Sequence, residues 1–152
     1  MSQVALSTVV RSDEPWREPE WQRLWLATQD RPWRSLALVP AGGPPELALE
    51  VAMSLARTGM LHIGGQIHVA DATTLELESV GEFTHQLRSS MQTGHVIMAL
   101  APSHLNPVTV PLAHTADCAL LCVLLSHVRI ADAKRTLDEI GRNHFIGAIT
   151  ID

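Results

Sequence analysis

The sequence predicts an α/β domain built on a doubly wound, mostly parallel sheet of about five strands flanked by helices. Short apolar runs recur at even intervals, and their nearly continuous hydrophobicity is typical of strands buried on both faces. Helical patterns separate these runs, and such alternation favours parallel strands joined by right-handed crossovers. The 152 residues suffice for one such domain with one sizeable core.

The predicted elements follow one another along the chain in a regular order. The five strands are residues 35–40, 66–70, 95–101, 118–123 and 145–151. Helical patterns cover residues 45–58, 75–91 and 130–141. Gly59 and Gly141 are the expected stops of the first and last of these helices, because glycine is favoured just past a helix C-terminus.

The N-terminal part of the chain has a different character. Residues 1–17 are predicted to be a flexible, irregular segment, and residues 18–152 form the α/β domain. A helix over residues 18–29 would carry Trp21 and Trp25. These tryptophans either close one side of the core or contact a second copy of the chain, since tryptophan is favoured at interfaces.

Composition excludes several classes of protein. A net charge of −5 argues against a nucleic-acid-binding surface, which requires dense positive charge. The longest apolar run, residues 118–125, is far shorter than the roughly 20 residues that span a membrane. The first residues lack the pattern of a signal peptide. We therefore expect a cytoplasmic protein, held at the inner-membrane face only through a partner.

A glycine turn after the first predicted strand occupies the place of a phosphate-binding loop. Such a loop needs backbone N–H groups, a lysine and a Mg²⁺-binding hydroxyl. Here Gly42 and Gly43 are followed by Pro44 and Pro45, which lack backbone N–H groups, and the single lysine, Lys134, lies in the last predicted helix. The turn is therefore either a vestigial phosphate loop or a connection kept for the fold.

From about Glu18 onward, the sequence resembles the P-loop ATPase domain of bacterial tyrosine kinases of capsular and exopolysaccharide synthesis, which are relatives of the ParA and MinD ATPases. The resemblance rests on the stretches WRSLALVPAGGPPELALEVAMSLARTG, IHVADA and HVIMALAP, and on the closing stretch that starts ADCALLCVLL. The stretch EPEWQRLW resembles the family's self-association segment. This resemblance implies that the chain self-associates through Glu20, Trp21, Arg23 and Trp25.

The departures from this family fall on its catalytic positions. Pro44 stands at the position of the phosphate-binding lysine, and Pro45 at that of the Mg²⁺-binding hydroxyl. Ala99 replaces the Walker B aspartate, and Asp71 is near the second acidic motif but out of register. The chain also has no tyrosine to phosphorylate. The resemblance thus implies a degenerate member, a pseudo-ATPase without catalytic residues, cofactor or metal.

The function expected from this resemblance is a non-catalytic scaffold or regulator in bacterial exopolysaccharide or cellulose-type polysaccharide synthesis and export. Its expected partners are a second copy of the chain and a membrane-embedded polysaccharide co-polymerase or synthase subunit. The alternative is a ParA/MinD-like spatial regulator that binds nucleotide without hydrolysing it. A third hypothesis is an enzyme of unrelated chemistry that uses Asp71 or His104.

Metal and nucleophile candidates are few. Of the eight histidines, His104 and His114 are the best candidates for a metal site because they flank the loop after the strand at 95–101. None of the histidines shows the spacing of a known zinc motif. Cys118 and Cys122 lie in an apolar run and are interpreted as small buried hydrophobic residues.

Overall fold

The structure, a computed structural model, describes residues 5–152, with side chains described from residue 8 onward. Six strands form one sheet: β1 Ala5–Val9, β2 Ser35–Pro40, β3 Ile67–Ala72, β4 His95–Leu100, β5 Cys118–Leu124 and β6 Phe145–Ile151. Five α-helices connect them: α1 Pro19–Thr28, α2 Leu47–Ile63, α3 Val80–Met91, α4 Thr109–Thr115 and α5 Ile130–Ile140. Short 3-10 turns cover Pro15–Arg17, Leu77–Ser79 and Arg142–His144.

The strand order is β1-β6-β5-β2-β4-β3, and every neighbouring pair is parallel. The predicted α/β class with a parallel sheet is therefore confirmed, with six strands in place of about five. Because β4 lies between β2 and β3, the loops that follow these three strands meet at the carboxyl edge of the sheet. This edge is where open parallel sheets usually bind ligands.

Helices cover both faces of the sheet. Helices α1 and α2 pack on one face, where side chains such as Leu36 and Leu38 of β2 point. Helices α3, α4 and α5 pack on the other face, against Ala37 and Val39 of the same strand. This alternation along a strand with no exposed residue explains why the strand reads as continuously apolar.

The prediction that residues 1–17 are irregular is wrong for residues 5–9. Residues Ala5–Val9 form β1, which pairs in parallel with β6 in a register that places Val9 beside Ile151. Val9 is fully buried, and the Thr8 and Thr150 hydroxyls lie 2.6 Å apart. The strand was missed because its partner is the last strand of the chain, which local sequence does not reveal. The predicted flexibility of residues 1–4 lies outside the described residues.

Helix α2 does not stop at Gly59, as predicted, but continues to Ile63. Gly64 adopts a left-handed conformation with φ of +62°, and its N–H donates to the Met60 carbonyl at 2.9 Å, which ends the helix. Gly59 instead lies inside the helix at a close contact, because a Cβ there would lie 2.5 Å from Cζ3 of Trp25. Gly59 is therefore a packing glycine, and Gly64 is the stop.

Two further elements differ from the prediction in detail. The predicted helix over residues 75–91 begins as the 3-10 turn Leu77–Ser79 and becomes α-helical only at Val80. Helix α4, Thr109–Thr115, was not predicted, since seven residues that include a proline give little helical periodicity. Among the described residues, no helix combines the length and apolar character needed to cross a bilayer.

Candidate functional site

Three loops at the carboxyl edge of the sheet line an open groove of about 620 Å³, which we call the edge groove. Its walls are Pro45 from the loop after β2, residues 73–78 from the loop after β3, and Ala101, Leu105 and Asn106 from the loop after β4. The charged side chains that line it are Glu76 and Glu78, and no lysine or arginine is among its lining residues. Of the glycine turn and its two prolines, residues 42–45, Pro45 is the residue that borders this groove.

The glycine turn is packed against apolar side chains at the end of β5. A Cβ on Gly42 would lie 3.3 Å from Cγ2 of Val128, and one on Gly43 would lie 3.5 Å from Cδ2 of Leu124. Gly43 has a φ of +87°, a conformation that favours glycine. The tight contact at Gly42 and the positive φ of Gly43 thus favour glycine at both positions of the turn.

Pro44 and Pro45 lie at the positions expected to be vestigial, between the glycine turn and α2. Pro44 is half-buried and Pro45 is exposed on the wall of the edge groove. The Pro44 carbonyl accepts a hydrogen bond from the Leu47 N–H at 3.2 Å. Glu46 and Glu50 bring negative charge to the first turn of α2, which stabilises the helix but disfavours a bound anion there.

The two positions expected to be vestigial acidic sites are register neighbours, since Asp71 of β3 lies beside Ala99 of β4. Oδ1 of Asp71 accepts hydrogen bonds from the Thr73 N–H at 3.0 Å and the Thr73 hydroxyl at 2.7 Å. Ala99 is fully buried in the core on the α1–α2 face of the sheet. Asp71 therefore caps the end of its strand.

The segment expected to serve self-association is divided between core and surface. Trp21 and Trp25 are buried, 3% and 1% exposed, and the Trp21 indole N–H donates to the Val10 carbonyl at 2.9 Å. The structure therefore places both tryptophans in the chain's own core, where they close one side of it. Glu20 and Arg23 are exposed and form a loose ion pair of 3.9 Å.

The candidate histidines do not form one site. His104 is exposed in the loop after β4, whereas His114 lies on α4 with its ring 5.6 Å from that of His144, which precedes β6. The Nε2 atom of His144 lies 2.7 Å from the Ala113 carbonyl oxygen. In the described part of the chain, no group of three or more metal-ligating side chains comes together.

The two cysteines are buried, as expected, on the α1–α2 face of the sheet. Burial raises the pKa of the Cys118 thiol to about 11 and that of the Cys122 thiol to about 12. The thiolate is the reactive form of cysteine, so a raised pKa makes both residues poor nucleophiles at neutral pH. Their role is packing.

Glu76, Leu77 and Glu78 alternate on one wall of the edge groove and were not predicted as functional residues. The pattern was read as the start of a helix, but these residues lie at the 3-10 turn before α3. A backbone hydrogen bond lowers the pKa of the Glu78 carboxyl, and the Glu76 side chain lowers it further, so Glu78 stays ionised at neutral pH. The sequence signal that could have identified this wall is the pair of glutamates on either side of Leu77.

Comparison with known proteins bears on the fold. No family model and no curated protein matches the sequence. A solved structure, described as the chimerical protein CapA2B2, matches with a TM-score of 0.72 and 9% sequence identity. The match covers 99% of this chain and 94% of that chain. At such low identity the likeness concerns architecture alone, and it shows that the chain shares the α/β fold of that structure.

Proposed function

We propose that this protein is a non-catalytic scaffold or regulator in bacterial exopolysaccharide or cellulose-type polysaccharide synthesis and export, acting through protein–protein contacts. The observation that carries the proposal is the charge of the edge groove. Glu76 and Glu78 line the groove that Pro45 borders, beside the turn where a P-loop fold would hold phosphates, and the groove lining contains no lysine or arginine. A groove of this charge disfavours binding of a nucleoside triphosphate. The surface of the fold is then available for protein–protein contacts.

The size of the catalytic loss supports a role outside phosphoryl transfer. Enzymes of that class work by positioning and charge compensation, and losing one such contact costs roughly 10²–10³ in rate. By the resemblance, Pro44, Pro45 and Ala99 stand at the positions of three such groups. Each carboxylate held about 4 Å from a phosphate charge would add roughly 1 kcal/mol of repulsion even at the dielectric constant of water.

The polysaccharide context is supported by the sequence resemblance to bacterial tyrosine kinases of capsular and exopolysaccharide synthesis and by the fold shared with the CapA2B2 chimera. In this proposal the partners are a second copy of the chain and a membrane-embedded polysaccharide co-polymerase or synthase subunit. Such a partner would bring the protein to the cytoplasmic face of the inner membrane.

Nucleotide binding gives the most direct test. We expect ATP and ADP, with and without Mg²⁺, to leave the thermal unfolding midpoint unchanged, and purified protein to release no phosphate from ATP. A ligand at about 100 times its Kd would stabilise the fold by about 2.7 kcal/mol, so binding would be readily detected. An active ATPase of the same fold, measured in parallel, is the positive control. A clear shift without phosphate release would favour the ParA/MinD-like alternative.

The cellular part of the proposal needs a separate experiment. The tagged chain is recovered from its native cell under mild detergent, and the size and composition of the complex are measured. We expect a membrane-embedded polysaccharide component to be recovered with it. Recovery of a lone monomer would contradict the scaffold proposal, even if nucleotide binding were absent.

A further inference from the structure

The edge groove combines exposed leucines with exposed carboxylates on a surface that the proposed function leaves without a ligand. Leu77 is 73% exposed and Leu105 is 53% exposed, and they stand on walls formed by different loops. Large aliphatic side chains exposed around a groove mark an interaction site when they occur together, rather than singly.

We propose that the edge groove is a docking site for a basic, amphipathic segment of a partner protein. Lysine or arginine side chains of that segment would pair with Glu76 and Glu78, while its apolar side chains would cover Leu77 and Leu105. This inference rests on the proposed function, because a bound nucleotide would compete for the same edge of the sheet.

The negative charges of the groove favour a basic segment over a lipid surface or a nucleic acid. Neither Glu76 nor Glu78 takes part in an ion pair within the described residues, whereas exposed carboxylates such as Glu20, Glu50 and Glu139 do. An anionic lipid surface or a nucleic acid would be repelled by two adjacent carboxylates. A segment that carries positive charge and apolar side chains in alternation satisfies both features of the groove.

Hydrogen bonds join the loops that line the groove and order each of them. The Asn106 side-chain amide donates to the Leu75 carbonyl at 2.9 Å, which joins the loop after β4 to the loop after β3. The Asn106 side-chain oxygen also accepts from the Val108 N–H at 3.2 Å. Asp71 accepts hydrogen bonds from Thr73 at the start of the loop after β3. A groove formed in advance spares part of the ordering cost of binding.

A synthetic peptide of alternating lysine and leucine, labelled with a fluorophore, serves as the probe in a fluorescence anisotropy titration. We expect binding with a Kd on the order of micromolar, weakened by added salt because exposed charges are screened. A peptide of alternating glutamate and leucine should not bind. A peptide of lysine and serine with the same charge should bind at least about tenfold more weakly, since it lacks the apolar contacts.

Paired variants of the protein then locate the site. The double variant Glu76→Gln/Glu78→Gln, and separately Leu77→Ser/Leu105→Ser, should each weaken lysine–leucine binding about tenfold. The matched controls are Glu20→Gln/Glu139→Gln, which makes the same change in net charge, and Leu61→Ser, at a leucine that is 68% exposed on α2. All these side chains are exposed or half-buried at the surface, so the variants should keep the wild-type unfolding midpoint.

The outcomes separate this inference from the proposed function. The docking site would be overturned if the lysine–leucine peptide did not bind, or if the groove and control variants lost the same peptide affinity. The non-catalytic role would remain intact in either case if ATP also failed to bind. Binding of ATP that the peptide displaces would overturn the proposed function but keep the groove as the shared site. Binding of ATP without binding of the peptide would overturn both.

Discussion

The two faces of the sheet are covered very differently. On one face, α2 buries eight residues along its length, and α1 adds the buried Trp21 and Trp25. On the other face, α3 buries only Leu87 in its twelve residues, and α5 buries only Thr136 and Ile140. Helices α1 and α2 therefore bury more residues than α3 and α5 do. The lightly anchored α3 follows directly from the groove wall that carries Glu76 and Glu78.

The largest expected effect is on the α1–α2 face. Trp25→Ala removes a fully buried aromatic side chain and should lower the free energy of unfolding by about 3–5 kcal/mol. Phe83→Ala, at a half-buried aromatic residue of α3 on the other face, should cost about 1–2 kcal/mol because less apolar area is lost. Urea denaturation of both variants measures the difference. Equal costs would contradict the contrast between the faces.

A pair of glycines sharpens the same contrast. Gly59→Ala would place a Cβ 2.5 Å from the Trp25 ring and 2.7 Å from Cδ1 of Ile67, so we expect destabilisation by about 1–3 kcal/mol. Gly81→Ala in α3 meets nothing within 4 Å, and alanine is the better helix former. It should therefore be neutral or stabilising by up to about 1 kcal/mol. Thermal or urea unfolding measures both variants, and a neutral or stabilising Gly59→Ala would argue against the packing role of Gly59.

The smallest effect expected is a pH dependence at His95, whose ring lies 5.1 Å from that of Trp33. Burial lowers the pKa of His95, and the nearby Arg34 charge lowers it further. Because the folded state disfavours protonation, the stabilising contribution is present above the unfolded pKa of about 6.5 and is lost as the pH falls below it.

His95→Phe keeps an aromatic ring beside Trp33 and removes the titration. Between about pH 7 and pH 5, the wild-type protein should lose more stability than this variant, by less than about 1 kcal/mol. Urea unfolding at several pH values measures the two slopes. Identical slopes would show that His95 does not contribute to the pH dependence.

Much of the framework could be predicted from sequence, because strands buried on both faces leave a continuous apolar signal. The strands 35–40 and 145–151 were predicted with the bounds that the structure has. The presence of Pro44 and Pro45 directly after the glycine turn was also readable from the sequence. The edge groove was not, because its lining depends on β4 lying between β2 and β3, an order that no local pattern encodes. For the same reason, the close approach of Trp25 to Gly59 could not be foreseen.

The pairing of β1 with β6 also has a consequence for biosynthesis. The hydroxyl groups of Thr8 and Thr150 meet across 142 positions of the chain, so β1 leaves the ribosome long before its partner exists. At roughly 5–20 residues per second, the interval is about 7–30 s. During that time the remaining strands can assemble while the first one waits, and nascent chains halted before residue 145 should leave it open to proteolysis.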